Sequence, residues 1–449
     1  MKQMQGGTGE ITNAQSRIMS KVCWRLLPLL FLMYVFSYLD RINMGFAGLT
    51  MKSDLGLSAA AFGLGGSIFY AGYALSEIPS NLLMVRFGAR RWLARIMITW
   101  GIASALTMFV YSAGSLYVMR LLVGVFEAGF QPGVLLYLTY WFPRAYLGRA
   151  NALFMVGGPV AMATGAAASG FILEHANGVG GLHGWQWMFL IEGVPSIILG
   201  IVCLLCISDG PDTARWLSRE EVSILKGTLG NSTSTEKRGK QTSKGIWKQL
   251  ASKNVLLLSL VYFCLSNTFT ANSIWTPTIA KGVLQGFSLS SIGLIVAIPA
   301  LCSIVCMPLW TWSSDRKNER HWHLIIALAV TACGWLLVGR PTGMILPVVG
   351  IICTTVGSFS AMSVFWTLPQ QTLSEEARPA GLALLNVAGV LGALCSPAVI
   401  GILRDMTGNF SDGLYYVASL LIVAIFAVLF VARPSHDFSR GEAEEGQIA

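Results

Sequence analysis

Apolar residues in this chain come in blocks, and the length of those blocks decides what it can fold into. Twelve stretches stand out, near 25–49, 60–84, 92–111, 115–141, 150–173, 186–207, 255–280, 290–312, 322–339, 342–365, 379–402 and 413–432. As helices they are long enough to cross about 30 Å of hydrocarbon. The chain as a whole is 54% hydrophobic and only 12% charged, against about a quarter charged in soluble domains. The expected fold class is an all-α membrane protein of twelve transmembrane helices in two six-helix bundles.

The formal charge of +9 raises the question of a nucleic-acid partner, and its distribution answers no. The basic residues gather in alternate loops. Arg86, Arg90, Arg91 and Arg95 follow span 2, Arg144 and Arg149 follow span 4, and Arg316, Lys317 and Arg320 follow span 8. A polar segment, 208–254, lies between spans 6 and 7 and adds Lys237, Arg238, Lys240, Lys244, Lys248 and Lys253. The intervening loops 112–114 and 174–185 carry neither Lys nor Arg. By the positive-inside rule the basic loops and both termini are cytoplasmic. The domain reading is a tail over 1–24, a bundle over 25–207, a flexible linker over 208–254, a second bundle over 255–432 and a tail over 433–449. The polar start reads as neither a cleaved signal peptide nor a lipidation site.

Several residue types suggest chemistry that the pattern does not support. Most of the nine cysteines fall in apolar segments. Cys203 and Cys206 form a C-x-x-C, but inside ILGIVCLLCI with no second pair or nearby histidine. Free cysteine there packs as a small hydrophobe. His175, His183, His321 and His323 sit in loops or at span ends. No metal, cofactor, nucleotide-binding loop or enzymatic nucleophile–base constellation is expected.

The two halves look duplicated. NLLMVRFGARR follows span 2 and TWSSDRKNER follows span 8, both basic turns. Trp141-Phe142-Pro143 closes span 4 and Trp366-Thr367-Leu368-Pro369 closes span 10. Internal repeats of this kind build secondary transporters with a site at the midplane. This frame resembles the major facilitator superfamily, whose loop motif G-x-x-x-D-R-x-G-x-R-R survives in part. Arg86, Gly88, Arg90 and Arg91 fit, while Asn81 and Val85 stand where glycine and aspartate are expected; the second copy keeps Asp315-Arg316. The resemblance makes these six matching residues a cytoplasmic gate, with other contacts replacing the missing aspartate.

More specific strings, YLDRINMGFA, YALSEIPSN, RLLVGVFEAGFQPG, GWQWMFLIEG and FWTLPQ, resemble the anion:cation symporter family of proton-coupled organic carboxylate carriers. YFCLSNT, SIWTPTI, VGSFSAMSVFWT and IGILRDMTG look most like its 4-hydroxyphenylacetate permease branch. A monomer in a bacterial inner membrane is the corresponding expectation, with the lipid bilayer and a small carboxylate as its partners.

Ionisable residues at bilayer depth are costly and mark functional sites. Asp40, Arg41, Glu77, Arg120, Glu127 and Glu192 are the ones found, all in the first half. Arg120 and Glu127 lie seven residues apart, two turns along one helix face. Asp40 and Arg120 fall at comparable depth, so they are expected to pair and to leave Arg41 and Glu127 free. Glu127 is then the first candidate for proton carrier and Asp40 the second. Arg41 and Arg120 are the candidates to hold a carboxylate, because guanidinium stays charged and binds it through two parallel bonds. Stapling of helices is the competing role for these charges, and for Glu77 and Glu192 gating or backbone contacts fit better.

The second half offers amides, hydroxyls and rings instead. The family resemblance puts Ser363, Trp366 and Asn386 at the substrate, and Tyr73 and Asn272 join the substrate-binding set. In span 5, GGPVAMATG lacks the amide that sugar-acid carriers of this family tend to show there. That favours proton-coupled import of an aromatic acid such as 4-hydroxyphenylacetate. The alternatives are a symporter of an aliphatic hydroxy acid, sugar acid or dicarboxylate (tartrate- or hexonate-like), and an anion exchanger on the same fold. A carboxylate receptor and a membrane enzyme are the rivals from other classes.

Overall fold

A computed structural model of the chain describes residues 4–230, 250–340, 343–373 and 377–431. The centre of the expected linker, 231–249, and the expected tail 433–449 lie outside the described residues. All regular structure among the described residues is helical. The twelve principal helices are α1 (Met4–Ala47), α2 (Ala59–Phe87), α3 (Ala89–Leu106), α4 (Ala113–Glu127, resuming at Phe130–Thr139), α5 (Arg144–Met155, resuming at Gly157–His175) and α6 (Gly184–Cys206) in the first half. The second half has α7 (Lys253–Val283), α8 (Leu289–Arg316), α9 (His321–Val338), α10 (Ile345–Phe365, resuming at Thr367–Thr372), α11 (Arg378–Thr407) and α12 (Ser411–Phe430).

Eleven of these are long and apolar enough to cross a membrane. The exception is α2, where Gly63, Gly65, Gly66, Gly72, Tyr70, Tyr73 and Glu77 dilute the apolar content. Its composition follows from its position, packed between α4 and α11, where small residues let backbones approach. A Cβ on Gly63 would lie 2.2 Å from the carbonyl oxygen of Pro397.

Two features depart from the sequence reading. The first helix is continuous from Met4, so most of the expected tail belongs to α1. The first part of the expected flexible linker forms a helix, Arg219–Gly230. Ser218 and Glu221 cap it reciprocally, at 2.8 and 3.1 Å. Lys21 on α1 pairs with Glu221 at 2.8 Å, and Ile18, Met19 and Leu225 are buried in the same region. An amphipathic run with its cap was present in the sequence but was hidden by the charge around it.

The halves meet at the face opposite the basic loops. There α1 packs on α7, α2 on α11 and α5 on α8. A Cβ on Gly170 of α5 would lie 2.6 Å from the Leu289 carbonyl of α8. Asp405 at the end of α11 accepts from the Ala59 and Ala60 amides at the start of α2, at 3.1 and 2.7 Å. Lys281 on α7 donates to the Leu49 carbonyl at 2.9 Å.

Candidate functional site

The centre of the first half is organised by a break in α4. The helix stops at Glu127, Ala128 turns out at ψ 134°, and Gly129 adopts φ +86° before Phe130 restarts it. Glycine is needed at 129 for that left-handed backbone, and its missing side chain leaves room for Ser80. Glu127 therefore ends a helix in mid-membrane, where irregular backbone persists only inside protein or beside a cavity. Its carboxylate is fully buried, with a side-chain exposure of 0%.

Arg41 of α1 reaches that carboxylate. Its Nε and Nη2 lie 2.8 and 2.7 Å from Glu127 Oε1, and Ser37 Oγ donates to the same oxygen at 3.1 Å. Glu127 Oε2, also buried, has no hydrogen-bond partner among the described residues. The Arg41 side chain keeps 19% exposure, while that of Glu127 keeps none. Its guanidinium stands 5.3 Å from the Tyr73 ring centre and 5.9 Å from that of Phe69.

The expected Asp40–Arg120 pair is not formed, and Arg41 and Glu127 are bonded to each other rather than free. Successive residues on a helix point about 100° apart, so Asp40 and Arg41 face different neighbours. Asp40 turns to α3, where Trp100 Nε1 donates to it at 2.9 Å and Ser104 Oγ donates to its other oxygen. Arg120 instead stacks over Phe69 at 4.7 Å. It is 2% exposed, and its Nε lacks a hydrogen bond. A desolvated guanidinium over a ring is stabilised by about 2 kcal/mol, and Asp40 remains close enough to act on it through charge. Glu192, buried on α6 and expected to serve gating or backbone contacts, accepts from the Ser169 side chain at 3.0 Å.

Rings from both halves surround Arg41. Tyr38 of α1, Tyr70 and Tyr73 of α2, and Tyr262 of α7 all lie within electrostatic reach of it. Tyr262 stacks on Phe365 at 5.2 Å and meets Trp366 edge-on at 5.0 Å. Trp366 sits at the break in α10. Asn386 of α11 donates to both oxygens of Glu77 at 2.9 Å, so the two form a bridge between the halves.

Two other predicted residues are engaged inside the second half. Asn272 Oδ1 accepts from Thr354 at 3.1 Å and from Thr276 at 3.4 Å. Ser363 accepts from Thr311 at 2.8 Å and donates to the Ser360 carbonyl. Both tie helices of one bundle together. Trp100, Ser104, Ser37 and Tyr262 were missed, although each is a polar group in an apolar span.

The predicted gate residues lie on the basic face, and no ion pair among the described residues joins the two sets. Arg90 donates through Nε to the Leu204 carbonyl at 2.6 Å and through its amide to Asp209 at 2.9 Å. Asp209 also lies against Gly88. Asp209, in the loop after α6, thereby places a carboxylate beside the turn in which Val85 stands where one was expected. Arg86 faces Phe87 and Arg316 faces Trp312, while Asp315 pairs with Arg320 rather than with its neighbour Arg316. Arg91 is exposed in the first turn of α3.

Two helical halves closed at one face, with a charged and ring-lined centre, define a membrane transporter. Residues 30–397 match the Major Facilitator Superfamily, and the chain belongs to that family. It is 41% identical over 429 residues to the "Putative tartrate transporter" of Agrobacterium vitis, covering 95% of this chain and 94% of that one. It is 38% identical over 426 residues to the "Putative metabolite transport protein NicT" of Pseudomonas putida, with 94% and 95% covered. Among solved structures it matches the inward open conformation of the xylose transporter XylE from E. coli, with a TM-score of 0.74 at 13% identity, covering 92% of this chain and 97% of that one. That last likeness concerns the fold alone.

Proposed function

We propose that this chain imports a small organic carboxylate together with protons by alternating access, and that the carboxylate is a tartrate-like hydroxy dicarboxylate. The observation that carries the reading is the Arg41–Glu127 pair, in which a partly exposed arginine side chain holds a fully buried acid. A carboxylate entering between the halves competes with Glu127 for the Arg41 fork. Glu127 displaced from its cation is then a buried unpaired charge, which is costly until a proton neutralises it. Substrate and proton binding thereby favour one another.

Charge counting supports the same coupling. The buried carboxylates Asp40, Glu127 and Glu192 and the half-buried Glu77 outnumber Arg41 and Arg120 by two, so the cluster is neutral when it holds two protons. The tyrosine hydroxyls near Arg41 suit a hydroxylated acid better than a bare ring. Similarity to tartrate and metabolite transporters favours that class over the aromatic acid expected from the sequence. The basic face is assigned to the cytoplasm of a bacterial inner membrane; the closed face is then outside and the molecule faces inward. On this reading the two bundles span 25–207 and 255–432, and each monomer works alone.

Proteoliposomes with an imposed inward proton gradient test the reading. Labelled L-tartrate is expected to accumulate, and 4-hydroxyphenylacetate to compete weakly. Accumulation of 4-hydroxyphenylacetate with no uptake of L-tartrate overturns the substrate class. Uptake of L-tartrate indifferent to the gradient overturns the coupling.

A further inference from the structure

The face on which the halves close carries few basic residues among those described: Lys52, Lys281, Arg340 and Arg404. Three of them converge on one seam. Lys52 lies in the short helix Met51–Asp54 after α1, Lys281 near the end of α7 and Arg404 near the end of α11. A cavity of about 310 Å³ opens there, lined by Gly48, Leu49, Lys52, Ser53, Thr278 and Lys281. It is separate from the Arg41 centre and shares no residue with it.

The charges at this seam do not balance. Lys52 rests over the Phe62 and Trp275 rings, 5.6 Å from each centre, and has no ion pair among the described residues. Lys281 bonds a backbone carbonyl. The facing carboxylate is Asp405, which is committed to the α2 amides and touches Arg404 only at 4.0 Å. Asp54, on the Lys52 helix, is taken by Trp185 and His183 at 3.0 and 3.2 Å. Three cations against one engaged carboxylate leave an excess of two positive charges. Burial, and then the repulsion of Arg404 and Lys281, lower the Lys52 ammonium to about 8.

We propose that this seam is a second anion site, at which Lys52, Lys281 and Arg404 hold a small dianion at the closed mouth of the transporter. The excess of two charges matches a dicarboxylate, and the cavity exceeds the size of a four-carbon acid. Identification of that dianion as substrate rests on the carboxylate reading above; the site itself does not. A dianion bridging Lys52 of one half with Lys281 and Arg404 of the other relieves their repulsion, so occupancy strengthens the closed face.

Trace acetylation of the full chain in lipid nanodiscs, read by mass spectrometry at Lys52, tests this. Sodium sulfate serves as a plain dianion and L-tartrate as the carboxylate, with chloride at matched ionic strength as the screening control. At ten times the half-protecting concentration, acetylation of Lys52 is expected to slow about elevenfold, from 1 + [L]/Kd, while Lys21 on the other face is unaffected. Lys281→Gln and Arg404→Gln should each raise the half-protecting concentration. It should also rise above pH 8 in the parent, as Lys52 loses its charge. Protection by sulfate without L-tartrate supports the site and counts against the tartrate class. Equal protection by chloride, or none by either dianion, overturns the site whatever the transport assay shows.

Discussion

Glu127→Gln is the most informative change, because it keeps shape and removes one charge. In the parent, Arg41 contacts Glu127 Oε1 at 2.8 and 2.7 Å, with Ser37 at 3.1 Å. Glutamine preserves an acceptor at the same place. Hydrogen bonds to a charged group contribute about 1.5–3 kcal/mol and neutral ones about 0.5–1.5, so the hold on Arg41 weakens by about 1–1.5 kcal/mol. An incoming carboxylate competes against that weaker partner, and its affinity should rise about fivefold to tenfold at neutral pH. In the parent, acidification protonates Glu127 and frees Arg41, so affinity improves as pH falls; in the variant this dependence flattens. Counterflow exchange of L-tartrate in proteoliposomes should survive, and gradient-driven accumulation should disappear. Parental accumulation in Glu127→Gln, with a parental pH dependence of binding, refutes the proposed role of this acid.

Four further substitutions probe neighbouring parts of the machine. Arg41→Lys keeps the charge but loses the planar fork, and the KM for carboxylate uptake should rise about tenfold or more, for a loss of about 1.4 kcal/mol; an unchanged KM removes Arg41 from the substrate. Trp100→Phe leaves Asp40 with Ser104 as its remaining described donor and should cost about 1–3 kcal/mol, visible as a lower melting temperature in detergent. Gly63→Ala and Gly170→Ala place a methyl group against the Pro397 and Leu289 carbonyls. Each overpacking costs about 1–3 kcal/mol, shifting the balance between closed and open faces about 5–150-fold. Spin-label distances across that face should lengthen, and an unchanged distribution counts against these glycines as the closing surface.

Much of the fold was legible because lipid imposes a simple rule on length and polarity. The helices appear where the apolar blocks fall, and α2 is a helix where the second span was expected even though its glycines lower its hydropathy. The site was legible as a membership list and not as a pairing scheme. Asp40, Arg41, Arg120 and Glu127 do gather, because buried charge needs company. Which acid meets which base depends on helix rotation, and that depends on packing among α1, α3 and α4. Trp100 and Ser104 look like ordinary span residues until α3 is laid against Asp40. Asn272 and Ser363 show the reverse problem, since an amide or hydroxyl in a span serves helix packing as readily as a ligand. Asp209 could not be found from the loop motif because the carboxylate comes from the loop after α6.

The asymmetry between the halves suggests how short the coupling route needs to be. All buried Asp, Glu and Arg residues among those described belong to the first half, yet the second half touches that network directly. Ser273 of α7 donates to the backbone carbonyl of Arg41 at 3.2 Å, and Asn386 of α11 holds Glu77. The residue proposed to bind the carboxylate is therefore also a residue of the seam between the halves. A change of partner at the Arg41 side chain, from Glu127 to substrate, is felt on α1 where α7 grips its backbone. No long chain of intermediates is required, and coupling through contact is the kind that can be tested by paired substitutions. If Ser273→Ala and Glu127→Gln affect the closed-face distance independently, their effects add, and the seam does not sense the proton. A coupling energy of about 0.5 kcal/mol or more means that it does.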